Sequence, residues 1–409
     1  MQCGLLGRTL HHSYSPQIHK QLGDYAYTLY EMEPEALESF LHSEVFDGIN
    51  VTIPYKKSVI PYCDELSDKA RKLGAVNTIV RRNGKLIGHN TDYFGFEYMI
   101  QKAGICVQDK KALVLGSGGA SATAVAVLEE LGANVTVISR SGSDNYQNID
   151  RHWDAALIVN ATPVGMYPDN DQTPIELDHF SNLECVLDLI YNPASTCLLQ
   201  AAQAKKIPYA NGLWMLVAQA KESAEWFLQQ SIPNTLIDTI YRKLRFDMEN
   251  IVLIGMPGCG KSTIGRLLAD KLGRKFVDAD TQIEELAGMS IPEIFASSGE
   301  GEFRKLETQV LSGLGKRSGL VIATGGGCVT KQENYRHLHQ NGKIVWVQRE
   351  ISQLPTDGRP LSQQNKLVDM YLVRKPLYNA FSDVIVINNR TAMQAADEIL
   401  MQISQEVTP

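Results

Sequence analysis

Gly116-Ser117-Gly118-Gly119-Ala120-Ser121, directly after the apolar run Ala112 to Leu115, is one glycine loop of this chain. Gly255-Met256-Pro257-Gly258-Cys259-Gly260-Lys261-Ser262-Thr263, directly after Ile251 to Ile254, is a second loop of different design. Each follows a strand-like run and precedes an Ala/Leu-rich helical pattern. Each can therefore turn backbone N–H groups and a helix N-terminus toward phosphate. The first has the form of a dinucleotide loop and the second is a complete Walker A. A chain with both is expected to use two different nucleotides in two domains.

At 409 residues the chain is too long for one ordinary core, and two or three domains are expected. A net charge of −7 argues against a general nucleic-acid binder, because nothing supplies a broad basic face. The seven cysteines (Cys3, Cys63, Cys106, Cys185, Cys197, Cys259 and Cys328) are scattered and form no CxxC, which reads as free thiols in a reducing compartment. No signal-type apolar segment opens the sequence, and no apolar run reaches membrane-span length. A cytoplasmic protein with small-molecule substrates is expected, with no nucleic-acid or membrane partner. Composition leaves the oligomeric state open.

Strand-like runs alternate with helical patterns throughout, the mark of α/β domains. Ile232-Pro233-Asn234 to Arg245 reads as a capped helix, and Phe246 to Asn250 then leads into a new strand. The expected division is 1–247 and 248–409, at Met248. Within the first part, about 101–209 reads as a Rossmann-like nucleotide lobe, and about 1–100 with 210–247 as an α/β substrate lobe. The second part reads as a P-loop α/β domain with a parallel sheet.

On its own the first loop leaves open a turn that serves geometry alone, since its third expected glycine is Ser121. The next strand, Asn134 to Ile138, runs into Ser139-Arg140-Ser141 and ends on no acid. An NAD site usually has Asp or Glu there for the ribose 2′-hydroxyl, whereas a 2′-phosphate suits Arg. NADP(H) is therefore expected, held by Gly116, Ser117, Gly118, Gly119, Ala120, Ser139 and Arg140.

The residues flanking that lobe carry a more specific signal. Ser13-Tyr14-Ser15-Pro16, Gly48-Ile49-Asn50-Val51-Thr52-Ile53-Pro54-Tyr55-Lys56, Gly74-Ala75-Val76-Asn77-Thr78 and Gly88-His89-Asn90-Thr91-Asp92 come first. Asn160-Ala161-Thr162-Pro163-Val164-Gly165-Met166, Asp188 to Pro193 and Gly212 to Gln219 follow in order. Over roughly residues 3–245 the chain resembles the shikimate dehydrogenases. The resemblance implies a Lys56–Asp92 pair at the reacting carbonyl, Ser13 and Ser15 on the substrate carboxylate, and Thr52, Asn77, Asp92 and Gln219 on ring hydroxyls. It also implies Tyr191 near the substrate and Gly212 near the cofactor. The residue types suit the chemistry: reducing a ketone leaves negative charge on oxygen, which Lys56 can relieve while Asp92 holds the ammonium in place. One departure concerns the cofactor loop. The family commonly has Asn-Arg-Thr followed by a second basic residue, whereas here Ser139-Arg140-Ser141 leads into Gly142-Ser143-Asp144.

In the second half, Lys261 is suited to the β/γ-phosphates of ATP and Ser262 to Mg²⁺, with Gly258, Cys259, Gly260 and Thr263 completing the cradle. Phe276-Val277-Asp278-Ala279-Asp280, Phe303-Arg304-Lys305-Leu306-Glu307, Val321 to Gly327, Arg359-Pro360-Leu361 and Arg374 with Tyr378 follow. Over roughly 248–409 the chain resembles the shikimate kinases. The resemblance implies that Asp280 activates the acceptor hydroxyl, that Asp278 helps order Mg²⁺, and that Arg304 and Arg374 clamp the acceptor carboxylate. Gly325, Gly326 and Gly327 would close around the ring, and Arg359 would cover the transferring phosphate. Arginine suits such a clamp because its planar fork pairs bidentately with carboxylate. The stretch Gln353 to Gly358 is short before that lid Arg and lacks an adenine-side Arg, a role left to Arg390.

The joint expectation is one chain that reduces 3-dehydroshikimate with NADPH and phosphorylates the resulting shikimate with MgATP. A quinate-type dehydrogenase fused to another small-metabolite kinase, or a metabolite sensor without turnover, are the competing readings. Retention of Lys56, Asp92, Lys261 and Asp280 weighs against the sensor.

Overall fold

The computed structural model describes residues 1–10, 13–354 and 364–404. Two compact units emerge: Met1–Tyr191 with Thr196–Leu244, and Asn192–Ser195 with Arg245–Pro409. The division falls between Leu244 and Arg245, inside the helix Thr235–Met248, which runs three residues beyond the expected Arg245.

Among the described residues the strands form three sheets. The first unit opens with β1 (Gln2–Gly7), β2 (Ala26–Glu31), β3 (Gly48–Val51), β4 (Glu65–Leu66), β5 (Thr78–Arg82) and β6 (Lys85–His89). These order as β2-β1-β3-β5-β6-β4, with β5 antiparallel to both β3 and β6 and the other pairs parallel. Asn83 and Gly84, at φ 51° and 79°, make the β5–β6 hairpin, as an Asn-Gly turn does when both central residues must be left-handed. That hairpin sets Thr78 opposite His89 and brings Asn77 alongside Asn90 to Asp92. The core of this lobe gathers Leu6, Leu41, Phe46, Ile49, Val51, Tyr55 and Ile79.

The nucleotide lobe follows: β7 (Lys111–Leu115), β8 (Asn134–Ile138), β9 (Leu157–Asn160), β10 (Cys185–Asp188) and β11 (Tyr209–Asn211). All run parallel in the order β11-β10-β9-β7-β8. The unbroken apolar run in β7 is explained by burial on both faces: Ala112 and Val114 join one core cluster, Leu113 and Leu115 the other. The chain order reverses between β7 and β9, and the Gly116 loop opens at that switch point, where ligands of parallel sheets sit.

The second unit contains β12 (Asn250–Ile254), β13 (Lys275–Asp278), β14 (Leu320–Ala323), β15 (Gly342–Gln348) and β16 (Val384–Ile387). They form a wholly parallel sheet in the order β13-β14-β12-β15-β16. The central β12 is buried from end to end and feeds the Walker A loop, after which the helix Lys261–Leu272 begins.

Candidate functional sites

In the first unit the polar residues of separate motifs converge. Lys56 ends the loop after β3, whose backbone is fixed by a bond from Val76 N–H to the Lys56 carbonyl, 2.7 Å. Its Nζ donates to Asp92 Oδ2 at 2.5 Å. Asp92 opens the helix Asp92–Ala103, where a carboxylate is favoured by the helix N-terminus. Asn77 Nδ2 donates to Asp92 Oδ1 at 2.9 Å and also to Thr91 Oγ1 at 3.0 Å, so the carboxylate is gripped on both oxygens. Gln219, on the helix Leu213–Leu228, accepts from Thr91 Oγ1 at 3.5 Å. Thr52 lies on the Lys56 loop, its N–H bonded to the Leu6 carbonyl. Ser13 Oγ accepts from Ser15 N–H at 3.2 Å at the start of the helix Ser15–Leu22. Between these two serines Tyr14 meets Tyr191 edge-on, with ring centres 6.1 Å apart.

Beneath this group runs a buried network that sequence reading did not assign. Ser223 Oγ accepts from Asn50 Nδ2 at 2.8 Å, contacts Thr78 Oγ1 at 2.8 Å and Thr91 Oγ1 at 3.0 Å, and donates to the Gln219 carbonyl at 2.9 Å. Tyr27 donates to Asn50 Oδ1 from the far side, 2.8 Å. One signal was available: Asn50 is a polar residue within the otherwise apolar run Ile49 to Val51.

At the dinucleotide loop, Ser117 to Ala120 are exposed, and a Cβ placed on Gly118 or Gly119 would meet nothing within 4 Å. The backbone here opens onto free space at the N-terminus of the helix Gly119–Glu130, as a phosphate cradle requires. Ser121, in place of the third glycine, is buried and donates to the Gly116 carbonyl at 2.7 Å, closing the loop on itself. Arg140 is exposed at the end of β8, while Ser139 is buried with its N–H on the Asp144 carbonyl. The Asp144 carboxylate is held by His152 at 2.9 Å and sits below its ordinary pKa, chiefly through that bond. Gly212 has a different constraint: a Cβ there would lie 2.0 Å from the Leu189 carbonyl oxygen, so close packing requires glycine.

In the second unit, Lys261 is buried and its Nζ donates to the Gly255 and Met256 carbonyls at 2.9 and 3.1 Å. Gly258 and Cys259 line the same loop, and Thr263 is exposed within the first turn of the helix. Ser262 Oγ donates to Asp278 Oδ2 at 2.6 Å, a hydroxyl–carboxylate pair of the kind that holds Mg²⁺. Asp278 also accepts from the Asp280 N–H at 3.1 Å, so the carboxylate that meets Ser262 also caps the helix Ala279–Ala287. Asp280 Oδ1 is buried without a partner among the described residues. Burial first, and the Asp278 charge second, raise the Asp280 pKa from its ordinary value, against the pull of Lys261 and Arg304.

Arg304 is buried and donates to Glu307 Oε2 at 2.7 Å and to Glu300. Glu307 is fully buried, and burial raises its pKa despite Arg304. Its quoted motif held this carboxylate, but only the fold shows its direction. A Cβ on Gly325 would lie 2.8 Å from both Asp280 Oδ1 and Glu307 Oε1, and one on Gly327 would strike the Arg304 guanidinium at 2.2 Å. Arg374 Nη1 donates to the Gly326 carbonyl at 3.0 Å, joined there by the Tyr378 hydroxyl. The glycine turn, both arginines and the two carboxylates therefore lie together in one cluster. Arg390 is exposed just beyond β16. Arg359 lies outside the described residues, as does most of the stretch expected to precede it.

Known proteins align with these two sites separately. Residues 5–79 match the shikimate dehydrogenase substrate binding domain, and residues 257–404 match shikimate kinase. The NADP(+)-type shikimate dehydrogenase of Clostridium beijerinckii is 36% identical over 258 residues, which cover 58% of this chain and 96% of that protein. The chain belongs to the shikimate dehydrogenase family. Among solved structures, shikimate dehydrogenase 1 from Peptoclostridium difficile is 38% identical with a TM-score of 0.55, covering 60% of this chain and 97% of its own. Shikimate 5-dehydrogenase from Thermus thermophilus, solved with NADP(H) and shikimate, is 29% identical with a TM-score of 0.55 over 59% of this chain and 99% of that one. With its kinase domain, this shikimate dehydrogenase family member joins an oxidoreductase to a phosphotransferase, and is a bifunctional enzyme of the shikimate pathway. No helix among the described residues is long and apolar enough to cross a membrane.

Proposed function

We propose that the first unit reduces 3-dehydroshikimate to shikimate at Lys56, and that the second phosphorylates shikimate on the hydroxyl facing Asp280. NADPH would supply the hydride, and ATP with Mg²⁺ the transferred phosphoryl group. The Lys56–Asp92 contact carries the first assignment. Lys56 Nζ is aimed by Asp92, and Asp92 is aimed by Asn77, so a proton donor stands pre-oriented for the oxygen that gains charge. Ser13 and Ser15 would receive the substrate carboxylate at a helix start, and Thr52, Asn77 and Gln219 its hydroxyls. Tyr191 would bound the ring from the nucleotide lobe. The open backbone at Gly118 and Gly119 would hold the pyrophosphate, with Ser139 and Arg140 toward the 2′-phosphate and Gly212 shaping the approach.

The convergence of Asp280 and Glu307 on Gly325 supports the second assignment. A residue that raises no Cβ there leaves room for a ring, and Asp280, made more basic by burial, can take the hydroxyl proton. Arg304 and Arg374 would bind the acceptor carboxylate. Lys261 would exchange its loop carbonyls for phosphate oxygens, and Ser262 with Asp278 would hold the metal. Arg359 would cover the phosphate and Arg390 the adenine. We assign 1–247 and 248–409 as separately folding domains of a cytoplasmic enzyme.

The test is one coupled reaction with the whole chain, 3-dehydroshikimate, NADPH and MgATP, following shikimate and its phosphate ester. Both should form in sequence. No shikimate from 3-dehydroshikimate, or ATP hydrolysis without phosphorylated shikimate, would reject the corresponding half.

A further inference from the structure

The residue after β16, Asn388, reaches back to the Walker A loop. Its Nδ2 donates to the Cys259 carbonyl at 2.8 Å. The residue is 5% exposed, and its backbone N–H is pinned to the Gln348 carbonyl at 2.7 Å at the end of β15. Gly260, at φ 103°, has no Cβ, and one placed there would lie 2.5 Å from the same Asn388 nitrogen. The amide therefore packs directly on the Gly260 α-carbon while holding the preceding carbonyl.

In a trans peptide the C=O and N–H point in opposite directions. Fixing the Cys259 carbonyl toward Asn388 thus turns the Gly260 N–H away from Asn388. That N–H is one of the loop donors at the start of the helix Lys261–Leu272, where anions bind. A free Cys259–Gly260 peptide could flip, because glycine tolerates either orientation. We propose that Asn388 is a positioning residue for nucleotide phosphate, holding the Cys259–Gly260 peptide in the orientation that presents the Gly260 N–H. The proposal rests on the reading of this unit as an ATP-using kinase. It adds that the strand bordering the Arg390 loop sets the phosphate cradle.

The experiment uses the whole chain with Asn388→Ala and Asn388→Asp, the latter nearly isosteric but lacking the N–H donor. Calorimetric binding of ADP and of adenosine is measured, with kinase KM for MgATP and shikimate. ADP should bind about 10-fold more weakly in both variants, the worth of one buried hydrogen bond. Adenosine binding, KM for shikimate and dehydrogenase rate should stay within about twofold. Equal weakening of adenosine and ADP would place Asn388 on the nucleoside side and overturn the proposal. Unchanged ADP affinity would overturn it, as would complete loss of transfer at every nucleotide concentration in both variants, the mark of a residue that only holds the fold. If the unmodified chain binds ADP but does not phosphorylate shikimate, the kinase reading fails while the binding comparison still decides the role of Asn388.

Discussion

Replacing Lys56 tests the dehydrogenase assignment most directly, because its two consequences differ in size. The ammonium bonds Asp92 at 2.5 Å, with the two side chains 28% and 14% exposed. Lys56→Ala leaves Asp92 its bond from Asn77 and its place at a helix start, so the carboxylate is not stranded. The stability cost should be small, on the order of 1 kcal/mol, well short of the roughly 3–5 kcal/mol for breaking a fully buried pair. The chemical cost should be large: loss of a positioned proton donor lowers kcat by about 10²–10⁴-fold. Lys56→Arg separates charge from proton supply, because a guanidinium remains protonated and cannot serve as the acid. It should keep much of the substrate affinity yet lose kcat nearly as severely as Ala. NADPH oxidation and thermal unfolding are measured on the same samples, with kinase activity as an internal control. Near-normal kcat in Lys56→Ala, or full activity in Lys56→Arg, would refute the proton-donor role.

Arg140→Ala should raise KM for NADPH with little change for NADH, since only the 2′-phosphate is addressed; equal effects on both would remove Arg140 from that role. Gly325→Ala should abolish phosphoryl transfer while dehydrogenase activity persists, because the methyl would crowd Asp280 and Glu307 at 2.8 Å each; a variant that phosphorylates shikimate normally would show the ring does not lie there. Asp188 is buried with its pKa raised to about 7 by burial, against bonds from Thr196, Ile190 and Asn160. Its folded value exceeds the unfolded one, so its protonated form stabilises the native state at low pH, and that contribution fades as pH rises from about 4 to about 7. Asp188→Asn should flatten this slope in denaturant unfolding of the first unit, and an unchanged slope would assign the pH dependence elsewhere.

Both nucleotide loops, the α/β class and the chemistry-bearing residue types were readable in one dimension because they are local. A glycine loop between a strand and a helix is decided by steric freedom and helix-end polarity within about ten residues. The family resemblance likewise rested on short ordered motifs. What the sequence could not order was convergence. Lys56, Asn77 and Asp92 meet because an Asn-Gly hairpin folds β6 against β5, and Ser223 reaches Thr78 and Thr91 beneath them only when its helix packs on that sheet. Glu307 stood in a quoted motif, yet its direction toward Gly325 depends on which face of the helix beyond the Gly299 kink is buried. Asn388 gave no local signal at all. It acts across 129 residues of chain, through a parallel sheet that sets β16 beside β15 and β15 beside β12. Local sterics and polarity act between neighbours in sequence, and they determined the elements and the loops. Burial and sheet register act between neighbours in space, and they alone decided which carboxylate oxygens lack a partner among the described residues, which glycines make room, and which amide holds the Walker A loop.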